Sequence, residues 1–377
     1  MKGAKRIKAV LICLLSAMLL FGCGGGKTTS PAPETAAVTA QAVTEAQTAE
    51  KEKTAAEKAA SEEQKTISET ENLTETKSVE EVPEVDRYEE IMDRSGDESK
   101  LSFYCWDIRV GEDADDKAGD STLFISPDGK TMLLDAGHPD CADQVIGYLK
   151  DLGITRIDYF VASHPHIDHI GSFPKIAETF EIGKAYRSEV EYTTQTYQNY
   201  VDALKAHEIP VEYLKAGDTF SFGDQITVKI YNPGEEIVYP KDFPKNSTAF
   251  MNNQSLAMKF LYGESTVLFC GDLYSAAERD LVEQYGEELQ ADVVKANHHG
   301  RDTSNTKKWI ETVKPKIAVA MLDQAVNMPV RSKYNKADSE FYMTFYDGII
   351  KVVMDDKKNY EVVSQHDSWL HEEEQSK

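Results

Sequence analysis

The sequence contains no CxxC spacing, no apolar run of bilayer-spanning length, and no aromatic residue between Phe21 and Tyr88. The first absence argues against a zinc ribbon. The three cysteines beyond the leader, Cys105, Cys141 and Cys270, are too few for a disulfide framework. They read as small buried side chains, with one disulfide as the alternative in an oxidising compartment. The second absence excludes a multi-span membrane channel. The third leaves residues 24–99 unable to bury enough apolar surface to offset chain entropy, so a solvated spacer is expected there. Positive charge is also scarce, with 41 Lys and Arg against 65 Asp and Glu, for a net charge of −24. Lys2, Lys5, Arg6 and Lys8 are basic, and residues 24–100 hold nine Lys/Arg against nineteen Asp/Glu, which leaves −18 on the remainder. Such a balance opposes long-range attraction to polyanions and counts against a dedicated duplex-DNA binder.

At 377 residues the chain is long enough for two average domains or one large α/β domain with appendages. Its first residues form a positive segment followed by the apolar stretch Ala9 to Phe21, which is too short for a comfortable membrane span. Gly22 and Cys23 stand where a small-residue cleavage site belongs, and Gly24-Gly25-Gly26 provide a flexible exit. The segment Leu20-Phe21-Gly22-Cys23 resembles the lipobox of bacterial lipoproteins. That resemblance implies a cleaved signal peptide over 1–22, lipidation of Cys23, and a chain held at the extracellular face of the cell membrane, where two acyl chains give stable anchoring. The expected organisation is then a lipidated linker over 23–97, a folded domain over 98–366 and a polar tail over 367–377.

From Leu101 onward, strand and helix signals alternate. Leu123 to Ser126, the turn Pro127-Asp128-Gly129, and Thr131 to Asp135 read as a hairpin. Val145, Ile146 and Leu149 have helical spacing, with Gly153 as the cap. Strands are expected over 157–163, 226–231, 256–261, 266–270, 291–296, 316–322 and 348–354, with a tight turn at Gly263-Glu264. Ser275-Ala276-Ala277-Glu278 has the form of a capping box opening a helix to about Tyr285. Sheets covered by helices, an α/β (α+β) layered domain, follow from this order.

The histidines are concentrated at two strand ends. Ser163-His164-Pro165-His166-Ile167-Asp168-His169 follows one strand, and His298-His299 follows another. Alternate positions of an extended segment point the same way, so His164 and His166 face a common point, while the following turn aims Asp168 and His169 beside it. Four nitrogen or carboxylate ligands within six residues suit two adjacent metal ions.

Leu133-Leu134-Asp135-Ala136-Gly137, His164-x-His166-x-Asp168-His169, Phe269-Cys270-Gly271-Asp272 and Lys295-x-x-His298-His299-Gly300 together resemble metallo-β-lactamase-fold hydrolases. Their order, and the Asn252-Asn253-Gln254-Ser255-Leu256 segment read as a strand before Gly271-Asp272, are most similar to the hydrolase domain of ComEC-type competence proteins; phosphorylcholine esterases of the same branch are also similar. The resemblance covers about residues 101–360 and implies an αββα sandwich with its site at the strand ends. It implies two divalent ions, zinc or manganese. His164 and His166 would hold one, Asp168 and His169 the other, and Asp272 would bridge them. One of His298 and His299 would join the second ion, with the other as proton donor. His299 is taken as the ligand and His298 as the donor, although the sequence leaves the reverse open. Asp135 would hydrogen-bond a ligand. His207, the only histidine between the first cluster and the bridging aspartate, reads as a helix end.

The reading these residues support is hydrolysis of phosphodiesters or phosphomonoesters outside the cell. Asp168 would accept the proton of the attacking water, and the free histidine would protonate the leaving oxygen. Lys295 and Arg301 are candidate phosphate partners, and Trp106 and Trp309 are candidates to cage a choline group. Nucleic acid and cell-surface polymers both remain open as the phosphoester partner, and no protein partner is evident. A lactone, thioester or β-lactam hydrolase is the rival enzyme class, and a non-catalytic surface binding module is the rival of another kind.

Overall fold

The computed structural model describes residues 85–324, 328–368 and 371; the leader, Cys23 and most of the expected linker lie outside the described residues. Among the described residues, no helix is long and apolar enough to cross a membrane. Packed structure begins before the expected boundary at 98. A short helix, Tyr88–Met92, buries Ile91, and Arg87 N donates to Gln365 O at 3.0 Å. Contacts also pass the expected end at 366, since Asp367 pairs with Arg87 and Ser368 bonds Asp347.

Fifteen strands among the described residues form two sheets. The first contains β1 (Leu101–Cys105), β2 (Thr122–Ile125), β3 (Thr131–Leu134), β4 (Arg156–Val161), β5 (Glu181–Arg187), β6 (Val211–Tyr213), β14 (Ile350–Met354) and β15 (Tyr360–Ser364). Their order is β15-β14-β1-β2-β3-β4-β5-β6. The second contains β7 (Thr219–Phe222), β8 (Ile226–Asn232), β9 (Ala257–Tyr262), β10 (Ser265–Phe269), β11 (Val293–Lys295), β12 (Ile317–Ala320) and β13 (Glu340–Met343), ordered β13-β12-β11-β10-β9-β8-β7.

Alternation along these strands builds the layers. On β1, Leu101, Phe103 and Cys105 enter one core and Tyr104 enters another; on β10, Val267 and Phe269 separate from Leu268 in the same way. Phe103, Phe124, Met132, Met258, Phe260 and Phe269 belong to a shared core that draws on both sheets. A second core packs the first sheet under helices Ala142–Asp151, Phe173–Thr179 and Gln195–Ala206. A third packs the other sheet under helices Ser275–Tyr285, Lys307–Val313 and Met328–Asn335. Two sheets face to face with helices outside each is the αββα arrangement.

Two expected elements differ. The Asn252-Asn253 segment is not strand: it ends the helix Thr248–Asn253, and β9 begins only at Ala257. The helix at Ser275 is present, but Glu278 does not reach back to the helix start. Its carboxylate is fully buried and accepts from Asn305 N at 2.6 Å, Asn297 Nδ2 at 2.8 Å and Thr306 N at 3.0 Å. The Ser275 N–H is already satisfied by Thr303 O at 2.9 Å, which leaves the glutamate to the three donors of the buried turn. Cys105, Cys141 and Cys270 are free and buried, so the disulfide alternative does not hold among them.

The two sheets are clasped by rings. Phe124 stacks on Phe260 at 4.6 Å between centroids and meets Phe269 edge-on at 5.2 Å. We predict that Phe124→Ala lowers unfolding free energy by about 3–5 kcal/mol, the range for removing a buried aromatic ring. Chemical denaturation checks this, and a loss below about 1 kcal/mol would contradict the placement of this ring in the shared core.

Candidate metal centre

Parallel pairing brings the relevant strand ends to one edge. β3 runs parallel to β4, and β10 runs parallel to β11. Their C-terminal ends deliver Asp135, the segment His164 to His169, Asp272, and the segment Asn297 to Gly300. β2 is antiparallel to β3, with Thr122 opposite Leu134, so the residues that precede β2 arrive at the same edge. Asp120 enters the site by that route.

Four ligand atoms converge there. His169 Nε2 and His299 Nε2 lie 3.3 and 3.1 Å from Asp272 Oδ2, and 3.5 and 3.2 Å from Asp168 Oδ2. Ligands about 2.0–2.2 Å from a tetrahedral ion stand roughly 3.3–3.6 Å apart, so this spacing fits a divalent cation. The two ring nitrogens and Asp272 Oδ2 are buried with no hydrogen-bond partner. Orphaned buried polar atoms are costly, and a bound ion would satisfy all three together. Beside them, His164 Nε2 and His166 Nδ1 are 2.9 Å apart, and the His164 ring lies 4.1 Å from that of His169. The whole set is compatible with two ions.

Each inward atom is held from behind. Asp135 accepts from Ser163 N and Ser163 Oγ, both at 2.7 Å, and its Oδ2 lies 2.8 Å from His169 Nδ1. That contact turns His169 Nε2 toward Asp272. Asp120 Oδ1 does the same for His299, 2.8 Å from Nδ1, while its Oδ2 pairs with Lys295. Asp120 belongs geometrically to the group that can hold a metal, with His169, Asp272 and His299. Both its oxygens are engaged, by His299 and Lys295, whereas Asp168 pairs with Lys117 through Oδ2 and keeps Oδ1 free, so Asp168 is the better fourth ligand. Lys295 donates to Gly271 O at 2.9 Å and to Asp272 Oδ1 at 3.3 Å, which leaves Oδ2 facing the histidines.

His298 and His299 have distinct places. His298 Nδ1 meets Thr303 Oγ1, and its Nε2 is 3.8 Å from Asp272 Oδ2, farther than His299 Nε2. Both residues take left-handed backbone, φ 48° and 55°, and Gly300 continues the turn at φ 77°. Such a conformation costs a non-glycine residue about 1–3 kcal/mol. The Glu278 network, with Asn297 and Asn305 bonded to each other, holds the turn in place.

The electrostatics follow from burial and charge. Burial works against ionised Asp168, but His169 and Lys117 outweigh it and hold the carboxyl well below its usual range. Asp272 is likewise held low, against burial, by His299, His169 and Lys295. Burial pushes the His298 imidazole down to about 3, so it is neutral at ordinary pH. Burial also drives His164 well below its usual range. Neutral imidazole is the form that binds metal, and its one N–H can donate a hydrogen bond.

Other expected site residues lie elsewhere or do something else. Lys295 is 1% exposed with its donors occupied beneath Asp272, so it cannot meet substrate phosphate as expected. Trp106 and Trp309, at 1% and 0% exposure, are buried in the two outer cores and form no cage. His207 is the exposed cap of helix Gln195–Ala206. Asp120, Lys117 and Glu278 were missed as site residues. The signal for Asp120 is Gly119-Asp120 two residues before β2, which pairs with β3, the strand that runs into Asp135.

The profile of the metallo-beta-lactamase superfamily matches residues 114–322, which contain every aspartate and histidine of this cluster. The chain belongs to that superfamily, one of metal-dependent hydrolases. It is similar to competence protein ComA of Neisseria gonorrhoeae, 22% identical over 200 residues that make up 53% of this chain and 25% of the relative. It is similar also to ComE operon protein 3 of Bacillus subtilis (strain 168), 23% identical over 175 residues, 46% of this chain and 21% of that one. The matched region therefore spans a quarter or less of these relatives. Among solved structures, the metallo-beta-lactamase fold protein YhfI from Bacillus subtilis aligns with a TM-score of 0.41 at 14% identity, covering 65% of this chain and 96% of that one.

Asp120→Asn keeps the shape of the side chain and removes the charge that holds His299 and Lys295. Loss of such a ligand-orienting partner is expected to weaken zinc binding by about 10- to 100-fold, measured by calorimetric titration. Unchanged affinity would show that His299 is not oriented through Asp120.

Proposed function

We propose that the protein is a dinuclear metal-dependent phosphoesterase, of the phosphodiesterase or phosphomonoesterase kind, carried on the outer face of the cell membrane by a lipidated Cys23. The observation that carries the hydrolase reading is the convergence of the unpartnered ligand atoms of His169, His299 and Asp272 beside Asp168. The choice of phosphoester draws on the motif resemblance to the ComEC-type hydrolase domain. The lipobox-like Leu20 to Cys23 supports the anchor.

Divalent ions among these residues would supply Lewis acidity and an activated water nucleophile. The chain's own groups supply the rest. Asp135 and Asp120 fix the rings of His169 and His299, and Lys295 fixes Asp272. Asp168 Oδ1, buried with no hydrogen-bond partner, is the acceptor for the nucleophile's proton. His298 is the hydrogen-bond donor that stabilises charge on the leaving oxygen. The tautomer that serves this role accepts from the Thr303 hydroxyl at Nδ1 and carries its N–H at Nε2, on the side of Asp272. Retention of the whole ligand set disfavours a silent binding module.

Zinc-loaded protein is expected to cleave bis-p-nitrophenyl phosphate, and Asp272→Ala to reduce that rate by more than about 100-fold, with loss of bound metal. Activity confined to nitrocefin would replace the phosphoester reading with the carbonyl one. No metal uptake and no activity on either substrate would favour the binding module.

A further inference from the structure

An anionic substrate beside a cluster of aspartates needs a protein cation at the point of entry. Lys295 is saturated by Asp120, Gly271 O and Asp272 and is sealed from solvent. Arg301 follows the histidine turn, but its guanidinium makes no hydrogen bond or ion pair with a site residue among those described, and its Nε is buried. Lys117 is different. Its Nζ lies 2.7 Å from Asp168 Oδ2 and 3.6 Å from Asp116 Oδ1, and its side chain keeps 17% exposure. An ammonium has three donors, and its partners here leave one for a further acceptor.

The backbone fixes this lysine over the site. Gly119 takes φ +78°, and a Cβ there would fall 1.7 Å from the Asp168 carbonyl oxygen, so only glycine permits the approach. Asp120 N then donates to that same oxygen at 3.1 Å. On the other side, Ala118 N donates to Asp323 Oδ2 at 2.9 Å, and Ala118 O accepts from His138 N at 2.9 Å. Lys117 thus enters directly from a clamp whose far jaw is the backbone of a metal-binding residue. The segment from Asp107 to Ala118 has no regular secondary structure, and its length serves to bring this ammonium to the edge of the carboxylates.

We propose that Lys117 is the phosphate anchor of this site: its ammonium donates to a non-bridging phosphoryl oxygen of the substrate and selects anionic phosphoesters over uncharged carbonyl compounds. This rests on the phosphoester reading above and extends it to a specificity-determining residue. A lysine serves here as a point charge that can turn from Asp168 to the incoming anion without a fixed bidentate geometry.

The test uses zinc-loaded wild type, Lys117→Met and Lys117→Arg. Each is titrated calorimetrically with inorganic phosphate, assayed on bis-p-nitrophenyl phosphate, and analysed for metal content. Lys117→Met is expected to keep its metal and to lose about 10- to 100-fold in phosphate affinity, with a matching rise in KM and a smaller change in kcat. Lys117→Arg should recover much of the loss. Wild-type phosphate affinity and KM in Lys117→Met would overturn the anchor while leaving the phosphoester reading intact. Metal loss in both variants would make Lys117 a support of the metal ligands and overturn it as well. A wild type that binds no phosphate and cleaves only nitrocefin would defeat the phosphoester reading, and the anchor with it.

Discussion

Four aspartates, Asp120, Asp135, Asp168 and Asp272, lie buried in one strand-end cluster, and two lysine ammonium groups, those of Lys117 and Lys295, face them. Buried charge without a partner costs several kcal/mol per ion, and the carboxylates answer it by holding His169 well above its usual range and His299 at about 9, positive charge that a bound divalent ion would replace. Cations can be supplied by protonated imidazole or by metal. His169 and His299 have Nδ1 committed to Asp135 and Asp120, and their Nε2 atoms point inward without a partner. That geometry suits divalent ions, which reward every inward-facing lone pair at once.

The rest of the fold is arranged to keep those atoms in place. Two sheets share a core fastened by Phe124, Phe260 and Phe269, and both sheets bring ligands to the same edge. The first sheet supplies Asp120, Asp135 and the segment from His164 to His169. The second supplies Asp272 and His299. Slippage between the sheets would separate the two sets, so packing in the shared core and metal affinity are one problem. On the second sheet, the left-handed His298-His299 turn is held by Glu278, a residue in a helix and not on the strand that leads to the turn.

Much of this was legible in the sequence because it is local. The His164 to His169 cluster, Gly271-Asp272 and His298-His299 are short and follow apolar strands, so both their chemistry and their position at strand ends can be read. The same holds for the hairpin at Pro127-Asp128-Gly129 and for the helix after Asp140. What failed was what depends on contacts across the fold. Asp120 is 179 residues from His299 in sequence, and Glu278 is 27 from Asn305. A capping-box pattern at Ser275 to Glu278 concealed the longer reach of the glutamate. Lys295 carried the right charge next to the right motif, yet its direction, inward beneath Asp272, was set by strand alternation and burial. β6 and β7, three and four residues long with exposed positions, offered too short a pattern for strands to be read there.

The central claim is that Asp168, His169, Asp272 and His299 enclose a metal ion, with His164 and His166 presenting a second site beside it. Anomalous diffraction at the zinc edge from zinc-loaded crystals tests it most directly. The account predicts one peak inside the four ligand atoms, about 2.0–2.2 Å from each, and a neighbouring peak at the nitrogens of His164 and His166. Zinc found only at surface carboxylates, with His169 Nε2 and His299 Nε2 bonded to water or protein groups, would contradict it.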